Sequence, residues 1–165
     1  MTAARLLATF FGAGLLRPGP GTWGSIAALP AAYLVHLAGG FAALALATLA
    51  VTALGWWVTA QVTRGLDDPD LSEIVIDEVA GMWLALWPVS LGAAMQGVDM
   101  LALWPGWVTA FVAFRAFDIL KPGPVGWADG LHTPFGVMLD DIIAGALAGL
   151  VVAVATVVFH AALGL

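Results

Sequence analysis

Residues 139–163 read LDDIIAGALAGLVVAVATVVFHAAL: an aspartate pair, then no further charged residue before the chain ends. About 20 apolar residues suffice for a helix to cross the hydrocarbon of a bilayer, so this stretch has the makings of a membrane span. Charge is also absent from 18–63, from 79–98 and from 100–114. The first run has room for two spans and the second for one; the third is completed by Asp99 and Arg115 at its ends. Over all 165 residues the chain is 62% hydrophobic and 10% charged, where an ordinary soluble domain is about a quarter charged. The expected fold is all-α: one domain over 1–165, a polytopic helical membrane bundle of four to five membrane segments.

The expected segments are 24–37, interrupted by Pro30; 41–62, after a turn at Gly39-Gly40; 73–95; 100–119; and 139–163. Each proline removes a backbone donor, so Pro88 and Pro105 are expected to bend their helices. Residues 1–16 contain an apolar run with no A-x-A-like cleavage site, which reads as a short interfacial helix. With five crossings, all five basic residues (Arg5, Arg17, Arg64, Arg115 and Lys121) fall on one side. The positive-inside rule makes that side cytoplasmic. Ten of the eleven acids fall there too, leaving Asp99 opposite. Trp23, Trp56, Trp57, Trp104 and Trp107 suit the two interfaces, while Trp83 and Trp87 lie deeper.

Composition also excludes. The absence of cysteine removes disulfides, thiolate metal sites and cysteine-nucleophile phosphatase chemistry. A net charge of −6 leaves no basic footprint for nucleic acid.

The acids carry the chemistry. Asp141, Gly145 and Gly149 share one helix face, with Asp140 in the adjacent row. Asp77, Gly81 and Ala85 repeat the arrangement, with Glu78 one position round. Small residues admit a neighbouring helix, so both acid pairs point into the bundle. A plain reading is capping, since acids favour helix N-termini; a single aspartate would serve for that. Oxygen-only ligands of this kind suit Mg²⁺, which shares its shell with substrate phosphate. Arg115, Asp118 and Lys121, spaced three apart before Pro122, read either as an interfacial ion pair or as a phosphate clamp with a further metal ligand. Glycines and a hydroxyl at Gly19–Ser25 offer backbone N–H groups to an anion, although the Walker ending is missing. Asp68-Pro69-Asp70 imitates an aspartyl-phosphate motif but follows a helix where a buried strand is needed, and reads as a solvated loop. His36 and His160 fall near the far interface; His132 lies by the acids as a candidate proton donor.

Four blocks in order, Pro18–Ser25, Ile74–Trp83, Phe114–Pro122 and Gly136–Gly145, resemble phosphatidylglycerophosphatase A, a family of bacterial inner-membrane lipid phosphatases. The resemblance covers about residues 12–150. It implies Mg²⁺-dependent removal of the terminal phosphate of phosphatidylglycerophosphate, a step of phospholipid biosynthesis. It also implies catalytic roles for Asp77, Asp118, Asp140 and Asp141, and substrate binding by Gly21, Thr22, Arg115 and Lys121. Combined with the spacing, it makes Glu78, Asp118, Asp140 and Asp141 the expected Mg²⁺ ligands. The attacking group is a metal-activated water or a carboxylate. Members of the family carry a Gly-Gly pair before the last block; here the stretch reads His132-Thr133-Pro134-Phe135.

Two other classes fit the residues less well. A small cation or proton transporter would use clustered carboxylates, but the span middles carry no ionisable residue. An alcohol phosphatidyltransferase needs Asp-Gly-x-x-Ala-Arg, and Asp129-Gly130 is followed by Leu131-His132-Thr133-Pro134.

Overall fold

A computed structural model describes residues 2–66 and 69–163, with the backbone alone for His160 and Leu163. The loop reading at Asp67 and Asp68 and the interface reading of the His160 side chain lie outside the described residues. Within them every regular element is helical: α1 (Ala3–Ala8), a 3₁₀ turn (Ala13–Leu15), α2 (Pro20–Val62), α3 (Ile76–Ala85), α4 (Trp87–Gln96), a second 3₁₀ turn (Met100–Leu103), α5 (Trp104–Leu120), α6 (Pro124–Asp129) and α7 (Pro134–Leu163). Three helices are long and apolar enough to cross a membrane, or four if the bent pair α3–α4 is one span.

The 43 residues of α2 are not one rod. Gly39 (φ −169°, ψ 26°) and Gly40 (φ 63°, ψ −153°) leave the helical region, and the positive φ at Gly40 is one that glycine adopts without steric cost. The partners show that the chain reverses there. Ala28 O accepts from Trp83 Nε1 (2.9 Å), and His36 Nδ1 pairs with Ser90 Oγ (2.7 Å). Beyond the break, the Phe41 ring meets Trp87, Thr48 Oγ1 accepts from Trp87 Nε1 (3.1 Å), and Gly55 lies against Ile76 and Met138. Arms 20–38 and 41–62 therefore run out along α3 and α4 and back again. α5 returns from the far end, and α7 runs outward beside it.

The remaining departures from the sequence reading have local causes. Pro30 does not interrupt its helix: it is exposed within α2, and helices in apolar surroundings tolerate a missing donor. Pro105 does not bend α5 but opens it, in the first turn, where its N–H would have no partner anyway. Pro88 does sit at a break, a 41° bend between α3 and α4, so the expected 73–95 helix is two. α7 starts ahead of the expected 139, because Thr133 Oγ1 accepts from Gly136 N–H (3.0 Å) as an N-cap and Pro134 is already helical. His36 is half-buried, its Nδ1 paired with Ser90 Oγ.

One core runs the length of the bundle, with Leu44, Met82, Leu86, Phe114 and Ala148 fully buried. A second, of Ala8, Val58, Ile74, Ile76, Ala80 and Met138, pins α1 under the start of α3. Val75 N–H donates to Ala8 O (2.9 Å), and Arg5 pairs with Glu73 (2.9 Å). All five basic residues lie at this end of the bundle. At the other, Tyr33 Oη donates to Asp99 (2.9 Å).

Candidate active site

The site forms where the first turn of α3 lies beside the second turn of α7. Asp77 and Glu78 occupy the first turn of α3, whose free N–H groups favour negative charge. Asp77 Oδ1 accepts from Glu78 N–H (3.0 Å), and Asp140 Oδ1 accepts from Asp141 N–H (3.0 Å). Glycines hold the two helices together one turn below. A Cβ on Gly81 would come within 2.5 Å of Asp141 O, and one on Gly145 would overlap the Gly81 carbonyl. This contact brings a carboxylate oxygen from each of Asp77, Glu78 and Asp141 within 4.8 Å of one another. Asp77 and Asp141 are buried, at 6% and 3% exposure.

Among the described residues no basic side chain pairs with these three acids. Glu78 Oε2 and Asp141 Oδ1 are buried with no hydrogen-bond partner among the described residues. Buried, clustered, partnerless carboxylate oxygens are costly unless a cation completes them, and an all-oxygen set fits a hard divalent ion such as Mg²⁺. The donor set therefore fits the metal that the sequence suggested, with Asp77 as a member.

Asp118 and Asp140, expected as metal ligands, line the same pocket but are held by basic residues. Asp118 pairs with Arg115 three residues earlier on α5, both side chains 15% exposed. Asp140 Oδ2 accepts from Lys121 Nζ (2.7 Å), and Asp129 Oδ1 accepts from the same ammonium. Lys121 ends α5 in a left-handed conformation (φ 44°). Burial works against its charge, but the hydrogen bonds and negative charges of Asp129 and Asp140 outweigh it, so its pKa lies above the ordinary lysine value. It is a fixed cation and a poor proton donor.

A cavity of about 140 Å³ joins these groups, lined by Asp77, Glu78, Asp118, Lys121, Asp140 and Asp141 with Asp129 and His132 at its rim. It has room for a phosphate group and a few waters, but not for a lipid. A larger crevice of about 510 Å³ between the far halves of α4, α5 and α7 is lined by groups such as Val89, Gly106 and Phe159 and holds no ionisable residue. Chemistry, not size, selects the first. His132 reaches it from an exposed loop position with φ 47°.

Gly21 and Thr22 do not line the cavity. They form the first turn of α2 behind it, and a Cβ on Gly21 would overlap Glu78 Oε1 and lie 3.2 Å from Arg115 Nη1. The glycine lets a helix backbone press on both side chains. Sequence reasoning missed Asp129 as a partner of Lys121. Eight residues and a Pro-Gly turn separate the two, and no periodicity connects them.

Fold and site together define a helical protein of membrane type with an acidic pocket at one end. A family model described as Phosphatidylglycerophosphatase A matches residues 6–156. The chain belongs to the phosphatidylglycerophosphatase A family, and so is a phosphoric monoester hydrolase. It is 35% identical to the Haemophilus influenzae protein named Phosphatidylglycerophosphatase A, over 89% of this chain and 85% of the relative. It is 37% identical to the Escherichia coli protein of the same name, over 86% and 77%. A Bacteroides thetaiotaomicron protein, named provisionally as a phosphatidylinositol-3-phosphatase, is 32% identical over 91% of each chain. No solved structure matches the chain significantly.

Within this family, Gly21→Ala is expected to lower kcat/KM about ten- to a hundred-fold, because small misplacements of a catalytic group are expensive. Phosphate-release kinetics on folded variant protein check this; wild-type rates would show that the Gly21 contact does not position Glu78.

Proposed function

We propose that the protein removes the terminal phosphate of phosphatidylglycerophosphate to give phosphatidylglycerol, with Mg²⁺ as cofactor, as a step of phospholipid biosynthesis at the cytoplasmic face of a bacterial inner membrane. The observation that carries the reading is the trio Asp77, Glu78 and Asp141 with its partnerless oxygens, set in a phosphate-sized pocket beside two anchored cations. The break at Gly39-Gly40 allows arms 20–38 and 41–62 to count as two crossings and α3–α4 as one, five in all. The positive-inside rule then puts the pocket on the cytoplasmic side.

In this reading Asp77, Glu78 and Asp141 hold the ion. Bound there, Mg²⁺ would neutralise charge on the carboxylates and on the transferring phosphoryl group. Lys121, kept in place by Asp140, faces the remaining phosphate oxygens as a fixed cation, while Arg115, which does not line the cavity, adds its charge from behind Asp118, an arrangement that costs no reorganisation as charge develops. The cavity admits the phosphate while the acyl chains stay in the bilayer. A terminal monoester on a headgroup suits that geometry. Transport gains no support, because beyond the carboxylate layer the spans carry no charged side chain until Asp99 at the opposite end.

The test is phosphate release by detergent-solubilised protein from phosphatidylglycerophosphate, phosphatidylinositol 3-phosphate and phosphatidic acid, with Mg²⁺ and with excess EDTA. Metal-dependent release, fastest from the first lipid, is expected. Equal or faster release from either of the others would overturn the substrate assignment, and release that survives EDTA would overturn the metal. Reaction in ¹⁸O-water followed by a trap for phosphorylated aspartate distinguishes a water from a carboxylate nucleophile.

A further inference from the structure

Lys121 is over-neutralised before any substrate arrives. Its ammonium meets two carboxylates, and the two are not equivalent. Asp140 is fixed: its side chain is 8% exposed and its second oxygen accepts from the Asp141 N–H. Asp129 is 38% exposed, sits at the end of the six-residue α6, and has Lys121 as the one side-chain partner of its carboxylate among the described residues. Of the pair, Asp129 is the one that can leave.

We infer that Asp129 occupies the place of a substrate phosphate oxygen on Lys121, and so sets the charge a ligand must bring to enter the pocket. The inference rests on the lipid-phosphatase reading. A phosphate monoester carries about −1.5 to −2 at neutral pH, whereas a phosphodiester carries one negative charge. A pocket that opens among lipid headgroups faces diester phosphates in large excess, and the product of the reaction is itself a diester. An open lysine and arginine beside a cation would collect them. Asp129, a tethered anion, competes at high effective concentration and matches a diester charge for charge. A monoester dianion, held also by the ion on the acidic trio, displaces it. Asp129 is thus a specificity-determining residue. It takes no part in the bond-breaking step.

The experiment measures competitive inhibition of phosphatidylglycerophosphate hydrolysis in mixed micelles by phosphatidylglycerol and, separately, by inorganic phosphate. It compares wild type with Asp129→Asn, Asp129→Ala and the charge-conserving Asp129→Glu. In the Asn and Ala variants, inhibition by the diester is expected to tighten about five-fold, the scale of one half-exposed ion pair. Inhibition by inorganic phosphate should change less, and Asp129→Glu should restore the wild-type ratio. A buttressing role would instead raise KM and weaken both inhibitors together, so that result, or an unchanged ratio, overturns the inference. Wild-type protein that releases no phosphate would overturn the lipid-phosphatase reading and this one with it. Wild-type release with an unchanged ratio in the variants overturns this one alone.

Discussion

Replacing Asp141 by Asn is expected to reduce kcat/KM by a factor on the order of 10³ and, in the absence of metal, to make the protein more stable. Both effects come from one cause. Asp141, Asp77 and Glu78 bring three carboxylates within 4.8 Å, and among the described residues no basic group pairs with them. At an effective dielectric near 20, two unit charges about 4 Å apart interact by about 4 kcal/mol, or roughly a thousand-fold in an equilibrium constant. Without metal the crowded carboxylates repel one another or hold a proton at a cost, which the neutral amide relieves; with metal each gains an attraction to the cation of at least that scale, which the amide forfeits. Wild-type protein should melt lower in EDTA than in Mg²⁺. The Asp141→Asn variant should melt higher than wild type in EDTA and respond weakly to Mg²⁺. Thermal unfolding in detergent with and without metal measures this directly. A variant that keeps the full Mg²⁺ stabilisation would remove Asp141 from the ion's coordination.

The membrane character of the fold was legible because it depends on composition. Charge-free runs longer than a bilayer requires have few alternatives, and Gly39-Gly40 marked the reversal inside one of them. Tertiary placement decided what was misread. Pro88 and Pro105 look alike in sequence and both fall in the first turn of a helix, yet α4 follows directly on α3 across a bend while α5 follows a 3₁₀ turn, and only the neighbouring structure distinguishes them. α6 was invisible, since six residues are too few to show a helical period. Its Asp129 was correspondingly unreadable as a partner for Lys121.

The acid pairs show the same division more sharply. Successive helix residues point about 100° apart, so the two members of a pair on one helix serve different neighbours. The rows Asp141-Gly145-Gly149 and Asp77-Gly81-Ala85 gave the facing directions, and the structure sets those two faces together. What periodicity could not give is the rotation of α5 and α6 about them. That rotation leaves Asp140 on Lys121; the Asp118–Arg115 pair, three residues apart on α5, is the ion pair that the spacing did offer.

The facing glycine rows carry the second large effect. Gly145→Ala is expected to leave a folded protein that is less stable and about a hundred-fold less active, whereas Gly149→Ala one turn further on should stay within about two-fold of wild type. The difference lies in what each new methyl meets. At Gly145 it would overlap the backbone carbonyl of Gly81, which cannot swing aside, while at Gly149 the nearest atom is Leu84 O at 3.4 Å. Overpacking of this kind typically costs about 1–3 kcal/mol, and the relief open to the bundle is to move α7 away from α3. In lipid, close approach of small residues is itself what holds helices together, so the separation costs packing as well. It also costs geometry, because the crossing lies one turn from Asp77 and Asp141 and any widening there spreads the three clustered carboxylates. The variant should therefore need more Mg²⁺ for half-maximal rate, beyond turning over more slowly. Titrating activity against Mg²⁺ separates the two. A Gly145→Ala protein with a lowered melting temperature but an unchanged Mg²⁺ requirement would show that the glycine crossing holds the fold without setting the distances in the site.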